Sequence, residues 1–553
     1  MPAETLHIYF TKDDDHKETR ENTFIISEEV KNTTEEWFIR LADLDFISDT
    51  AISYDAFWTH LILNNLDTSL QFYTELDRTL EKKSPSKIIT HNIGEEYKQI
   101  TKDLGEEYEI SVQHSKEDSF YNQLLSYIVL RFSVVVFLFD ELYTIIKGVI
   151  YPIESKSENQ PLFLPFPGRF ESMHPIIKNS NKEYNILVTP YSLSWKLRDH
   201  DYNWENGATP LSEYASLKII GKQLYLLIKL QFNFLFGELA ISTRIKQDLK
   251  YEYGIDASRT VEYICNQTVR KDIRIVLSKP LIEQAIQDLN PSDVVVGAMN
   301  PRDRIALLAA TEAGADTHYV PHSIAYANEF VPPTKDTNHY VAGSADDKVL
   351  SERYPEEMLP EIRPFGRPYL DTLTEQVKPK SSGESSSQII LATQPYDNWI
   401  RNKFIHDTLN ILDKIGYNDE VIIKIHPSEK KEYYTDIIGI ADHKYSLSVK
   451  DGSMSEYISG GEIVVTINSN VGIESILLGA YCISYNPFEP FTSPSSYIDG
   501  ENVPYETTKE GLSDRLKQII NRPTSTKDQK KYIHHAYSIG NSAKEISQNI
   551  INS

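Results

Sequence analysis

At 553 residues, 40% of them hydrophobic, the chain is too long for one core, and two domains are the expectation. Its 80 acidic against 56 basic residues leave a net charge of −24, which excludes a nucleic-acid binder built on a concentrated basic face but not a local phosphate site. Cys265 and Cys482 are the only cysteines and both sit in apolar contexts, so neither a disulfide framework nor a cysteine metal site is expected.

The opening Met-Pro-Ala-Glu-Thr has no basic region leading into an apolar run, so no secretory signal is expected and the cytoplasm is the default compartment. Residues 6–10 read as a strand, and the charged run 11–21 as a solvated loop. Apolar residues then recur at helical spacing over 35–82, and Lys87-Ile-Ile-Thr90 is a second short strand. An apolar block over about 112–151 reads as helical. Its part 124–151 comes nearest to a membrane span, yet Arg131, Asp140, Glu141 and Lys147 interrupt it. A buried helix or strand pair is therefore expected there, ahead of an interfacial membrane contact.

Residues 152–167 form a proline-punctuated connector into Phe166-Pro-Gly-Arg169-Phe170, followed by a strand over 184–189 and a long helix or helix pair over 212–248. Asn32-Thr-Thr34 and Asn266-Gln-Thr268 match the glycosylation pattern, which a cytoplasmic chain leaves unmodified.

Strands and helices then alternate, implying a parallel sheet: a helix over 274–289, a strand over 293–297, a helix over 302–313 and a strand over 318–320. Val331-Pro-Pro-Thr334 reads as a hinge. Short strands at 339–342, 363–365, 388–392, 421–425, 445–448, 462–467 and 481–484 follow, with helices between them, and Ser/Gly/Glu-rich 381–387 should be a mobile loop. The expected architecture is α/β, with two Rossmann-like domains facing across a cleft. The first, 1–335, carries a largely helical insertion over about 112–250; the second is 336–553.

Two strand-loop-helix units carry the chemistry. In the first, Val421-Ile-Ile-Lys-Ile425 runs into His426-Pro427-Ser428-Glu429. In the second, the strand 462–467 runs into Asn468-Ser469-Asn470 and opens an apolar helix at Val471. A helix start offers free N–H groups and a positive dipole end to an anion, and Ser and Asn add donors, although Ser469 and Asn470 also suit a plain N-cap. His426 can donate to a phosphate oxygen, or stabilise a departing nucleoside phosphate when protonated. Lys424 alternates with apolar Ile423 and Ile425, which puts it on the opposite face without a role. Glu474 lies in the first helical turn, where an acid is favoured by the dipole. Gln394 ends the strand 388–392 and points at the same crevice. On the other side, Asn300, Arg302 and Asp303 follow the strand 293–297. Arg302 either holds an acidic sugar's carboxylate or begins its helix, and His322 is a candidate general base, a task for which imidazole is suited.

Lys424-Ile-His426-Pro427, together with Thr466-Ile-Asn-Ser469-Asn-Val-Gly-Ile-Glu474, resembles the His-Pro and Ser/Thr motifs of GT-B glycosyltransferases. These include bacterial sialyltransferases and polysialyltransferases, capsule Kdo transferases and CDP-glycerol glycerophosphotransferases. Tyr319-Val-Pro-His322-Ser-Ile and Phe365-Gly366-Arg367-Pro368-Tyr369-Leu-Asp371 look like two further stretches of the same superfamily, and the match spans about 290–485. Ser323 stands where the family has Gly, and Asn470 where it often has a second Ser. The resemblance implies a donor site of His426, Pro427, Ser469, Asn470 and Glu474, with Glu474 on the ribose hydroxyls, and Gln394 joins it by its place at the strand end. It also supports His322 as the base for the acceptor hydroxyl, with Asp303 in reserve and Arg302, Asn300 and Arg169 on the acceptor or sugar-carboxylate side.

No metal-ligand spacing, Asp-x-Asp loop or Gly-x-Gly-x-x-Gly turn occurs among these loops, so neither a metal nor any other cofactor is expected. The reading is an inverting, metal-independent glycosyltransferase with a CMP-activated acidic sugar as donor and a glycan or lipid-linked acceptor, cytoplasmic or peripheral at the inner membrane face. The rival readings are a CDP-glycerol transferase, a UDP-GlcNAc 2-epimerase-like enzyme, whose His-x-Glu-Ala-Gly loop His322-Ser-Ile-Ala does not match, and an inactive binding scaffold.

Overall fold

The computed structural model describes residues 5–9, 73, 76–77, 80–81, 85–91, 95–114, 158–165, 173–180, 183–188, 208–236, 246–247, 249–250, 257–325, 335–354, 356, 359–375, 388–396, 398–438, 444–487, 494–521 and 526–552. By contacts the chain divides into one unit of Met1–Gly168 with Glu183–Thr317 and another of Arg169–Lys182 with His318–Ser553.

In the first unit, β1 (Thr5–Tyr9), β2 (Lys87–His91) and β3 (Ser111–His114) form a parallel sheet in the order β1-β2-β3. A second parallel set comprises β4 (Leu162–Leu164), β5 (Asn185–Val188), β6 (Ala208–Pro210) and β7 (Asp293–Val296), in the order β7-β4-β5-β6. Asp293-Val-Val-Val is buried throughout, as expected of a β-branched run in a sheet covered on both faces. Helices α1 (Leu217–Phe236), α2 (Ser258–Leu289) and α3 (Pro301–Ala313) belong to this unit. The start of α3 is well determined locally: Asn300 Oδ1 accepts from the Asp303 N–H at 3.1 Å, and Pro301 occupies the first turn.

The division falls inside β8 (Asp316–Tyr319), which in the second unit continues in the order β10-β9-β8 with β9 (Asn338–Tyr340) and β10 (Glu361–Arg363). The main sheet of this unit is fully parallel, in the order β13-β12-β11-β14-β15-β16. Its strands are β11 (Ile389–Ala392), β12 (Glu420–Lys424), β13 (Ser446–Lys450), β14 (Ile463–Thr466), β15 (Tyr481–Tyr485) and β16 (Tyr505–Glu506). Ile389, Leu391, Val421, Ile423 and Val465 pack on one face with α5 (Asn398–Ile415) and α7 (Lys509–Asn521). Their neighbours Ile390, Ile422, Val464 and Cys482 pack on the other with α4 (Pro368–Glu375), α6 (Val471–Leu478) and α8 (Lys527–Ala536). Each such fully buried branched side chain contributes roughly 1.5–3 kcal/mol of transfer free energy. Helix α9 (Ser542–Asn552) closes the chain.

The chain thus adopts the expected α/β class, with Rossmann-like parallel sheets. The span 112–250, expected to be a largely helical insertion, holds α1 but also the end of β3 and all of β4, β5 and β6. β4 lies inside the stretch read as a connector, because three residues between Pro161 and Pro165, buried on every side, show no alternation. Helix α2 is 32 residues long with Pro280 inside it, so it begins well before residue 274, where the pattern upstream of the proline failed to register. The apolar stretch 124–151, Phe166-Pro-Gly-Arg169, the hinge 331–334 and the loop 381–387 lie outside the described residues.

Candidate functional site

From β11 the chain builds the sheet outward through β12 and β13, then returns to place β14 on the other side of β11. The carboxyl ends of β11 and β14 therefore flank a topological switch point, where open parallel sheets leave a ligand crevice. Gln394 leaves β11, and its Oε1 accepts from the Asn468 N–H beyond β14 at 3.3 Å. Tyr396 donates to Asn468 Oδ1 at 2.7 Å, and burial pushes its hydroxyl up to about 12, so it remains a donor. The two loops are stitched together across the crevice.

Ser469 is buried, and its Oγ accepts from the Val471 N–H at 3.3 Å, leaving the hydroxyl proton to donate. Asn470 does not cap α6 with its side chain: its backbone is already helical at φ −54°, ψ −24°. The capping read for both residues therefore belongs to Ser469 alone. Glu474 lies in the first turn of α6, its N–H bonded to the Asn470 carbonyl at 3.1 Å.

His426 leaves β12, one strand out from the switch point. The Ser428 N–H donates to its Nδ1 at 3.2 Å, and the Ser428 hydroxyl lies 2.7 Å from the same atom. An Nδ1 that accepts a backbone N–H carries no proton, so the neutral ring holds its proton on Nε2 and can present it as a donor. Glu429 builds this loop: it accepts the His426 N–H at 3.0 Å, Thr393 Oγ1 at 2.5 Å, Tyr434 Oη at 2.7 Å and Arg401 at 3.0 Å. Burial works against its charge, but these donors prevail and hold the carboxyl below its usual range. Sequence reading passed over Glu429, although its place three residues after His426 is the spacing of a side chain that reaches back to a loop's first amide. Pro427 is exposed.

Lys424, read as standing on the face opposite Ile423 and Ile425 without a role, is 5% exposed, because apolar clusters cover both faces of the sheet. Its Nζ donates to the Ile425 carbonyl at 3.0 Å. Burial pushes the ammonium below the ordinary lysine range, opposed by the carboxylates of Glu474, Asp451, Glu429 and Glu456.

His322 lies in the loop after β8, within the same compact unit as His426 and Ser469 rather than in an opposing one. That loop is tied to the Asn468-Ser469 loop by Ser495, Ser496 and Tyr497. The Ser496 N–H donates to the Ala325 carbonyl at 2.9 Å, Ser495 Oγ to the Asn468 carbonyl at 2.5 Å, and Tyr497 Oη to the Ser469 carbonyl at 2.8 Å. Asp346, fully buried, accepts from the Ala325 N–H at 3.1 Å, the Ala342 N–H at 2.8 Å and Ser496 Oγ at 2.5 Å. Arg367 donates to the Ser323 carbonyl at 3.1 Å and the Tyr340 carbonyl at 2.6 Å. In the Gly366-Arg-Pro-Tyr-Leu-Asp371 turn, Gly366 sits at φ +94° with a Cβ position 2.1 Å from the Ser538 carbonyl, and Asp371 accepts from the Ser542 N–H at 2.8 Å. This turn therefore supports the His322 loop.

In the other unit, β4 and β7 form a second switch point. Arg302 bridges it from the β7 side, its Nη2 donating to the carbonyls of Leu164 at 3.5 Å and Pro165 at 3.3 Å and its Nε to Asp303 at 2.5 Å. Asn300 adds a bond to Asp303 at 3.1 Å. Asp303 is wholly buried, which pushes its carboxyl up to about 6 against the pull of Arg302. The sequence-selected Asn300, Arg302 and Asp303 are thus brought together as one buried cluster. Arg169 lies outside the described residues.

No family model and no curated protein matches the chain. Among solved structures, the chain is similar to UDP-GlcNAc 2-epimerase from Methanocaldococcus jannaschii in complex with UDP-GlcNAc and UDP, at 14% identity and TM-score 0.43 over 71% of this chain and 100% of that one. The Neisseria meningitidis UDP-GlcNAc 2-epimerase bound to UDP-GlcNAc aligns at 12% identity and TM-score 0.39 over 71% and 100%. The wall teichoic acid polymerase TagF aligns at 11% identity and TM-score 0.36 over 79% and 98%.

Proposed function

We propose that the protein is a GT-B glycosyltransferase that moves a sugar from a nucleotide-activated donor to a hydroxyl acceptor by a single inverting displacement. The observation that carries this reading is the switch point between β11 and β14, where Gln394, Ser469 and the start of α6 meet one strand away from an imidazole that presents Nε2–H. Such a site binds the anionic end of a nucleotide, and charge building on the departing phosphate would be met by His426, the Ser469 hydroxyl and the α6 dipole. Asn470 would border the same phosphate, Glu474 would accept the ribose hydroxyls, and Pro427 sets the turn that the Glu429 N–H closes on the His426 carbonyl at 2.9 Å. His322 would take the acceptor's proton. In this reading Asp303 and Asn300 hold Arg302 in place, and Arg169 stays with the acceptor.

The donor within this reading is a CMP-linked acidic sugar, the acceptor a surface glycan or glycolipid, and the transfer independent of metal. These finer assignments rest on the motif resemblance of Lys424-Ile-His426-Pro427 and the Ser469 segment. The test is thermal stabilisation by CMP, CDP, UDP and GDP in parallel, followed by turnover of CMP-linked sugars with hydroxyl acceptors. Cytidine nucleotides should stabilise most, with CMP released only when an acceptor is present. Conversion of UDP-GlcNAc to its 2-epimer without any acceptor would replace this reading with an epimerase.

A further inference from the structure

Helix α1 carries an apolar stripe that faces outward. Leu217, Leu224, Tyr225 and Ile228 are 75%, 43%, 64% and 67% exposed, whereas Ile219, Ile220 and Gln223 on the other side of the helix are buried. Gly221 lies on the exposed side with no atom within 4 Å of its Cβ position, so the stripe continues between the large side chains. At about 100° per residue, positions 217, 221, 224, 225 and 228 share one face, and 218 and 222 fall along its edge. Both edge positions are exposed lysines. The 20 residues of α1 contain Lys218, Lys222 and Lys229 and no Asp or Glu, in a protein whose net charge is −24.

We infer that this face docks the protein onto an anionic lipid surface, with α1 lying in the plane of the interface. The inference is independent of the donor reading and concerns another part of the molecule. Four large apolar side chains in a row along a solvent face exceed the scattered exposure normal for a soluble surface. An apolar strip edged by lysines, with acids absent, is the composition of an interfacial helix: the rings and aliphatic chains enter the acyl boundary while the lysine stems extend their ammonium groups to lipid phosphates. A second copy of the chain is a poorer occupant, since an isologous contact would set this lysine-bearing helix against another that likewise holds no acid to pair with it. Charge separates the two: an anionic surface complements the helix, and a second helix repels it.

The test is co-sedimentation of the full chain with vesicles of phosphatidylcholine alone and of phosphatidylcholine mixed with phosphatidylglycerol. Wild type should bind the mixed vesicles, more weakly as salt rises, and bind the neutral ones poorly. Two double variants, Leu224→Asp with Ile228→Asp and Lys218→Glu with Lys222→Glu, should each reduce the affinity at least about tenfold while keeping the wild-type circular dichroism spectrum. Because the lysines make no core contact, the charge-reversal pair remains informative should the aspartates perturb the helix. Failure of wild type to bind mixed vesicles at low salt overturns the inference, as does equal binding by folded variants. A dimer by light scattering that Leu224→Asp dissociates, with no vesicle binding, assigns the face to a second copy instead.

Discussion

The hydroxyl of Tyr497 donates to the Ser469 carbonyl at 2.8 Å, and it does so from a position that a side chain on Gly472 would occupy: a Cβ there would lie 2.0 Å from that hydroxyl oxygen. Tyr497 is fully buried and cannot retreat into solvent. Exchange of Gly for Ala inside a helix is ordinarily favourable by about 1 kcal/mol. Here Gly472→Ala should instead destabilise by about 1–3 kcal/mol, as overpacking does, and weaken nucleotide binding as the Ser469 loop shifts. Urea unfolding and calorimetry with CMP would measure both effects. A variant more stable than wild type would show that Tyr497 does not hold this loop.

His426→Ala should lower nucleotide affinity by about tenfold or more, the loss of one hydrogen bond to a charged group, with thermal unfolding almost unchanged because the ring is only partly buried. Glu429→Gln should lower both affinity and stability, since one carboxylate holds four donors and orients the His426 loop. Unaltered affinity in both variants would remove His426 from the site.

His322→Ala should reduce turnover by roughly 10²–10⁴ while donor affinity stays near wild type, because a general base acts in the transition state. Ser496→Ala should reduce turnover less, by loosening the Ala325 end of the same loop. Wild-type turnover in His322→Ala would place the base elsewhere.

Asp303 links stability to pH. Its carboxyl titrates at about 6 when folded and near 3.9 when unfolded, so between these values the folded chain holds the extra proton. Stability from this group is therefore fully present below about pH 4 and is lost as pH rises through about 6, by at most about 3 kcal/mol. Asp303→Asn should be destabilised overall by loss of the Arg302 pair and should lack this slope. Identical pH slopes in urea unfolding of the two proteins would disprove the assignment.

Turnover should survive excess chelator, since the groups proposed to meet the donor phosphate are imidazole, hydroxyl, amide and backbone donors. Strict dependence of activity on added Mg²⁺ or Mn²⁺ would overturn the metal-independent reading.

What the sequence determined by itself is what local pattern encodes. Runs such as Val421-Ile-Ile and Ile463-Val-Val need two covered faces wherever they are placed, and their alternation with helical stretches implies a parallel sheet. Strand-to-loop steps at Gln394, His426 and Ser469 were legible for the same reason: the polar residue follows directly on the apolar run. Tertiary structure alone decided which strands are neighbours, and hence that the Gln394 and Ser469 loops meet at a switch point. It also buried Lys424, made Glu429 the centre of the His426 loop, and brought Ser495, Ser496 and Tyr497 back against Asn468, Ala325 and Ser469. None of these has a periodic signal, because burial of a polar side chain depends on partners far away in sequence. The short strand β4 was missed for a related reason: its three residues are stabilised by β5 and β7 on either side, not by anything within 162–164.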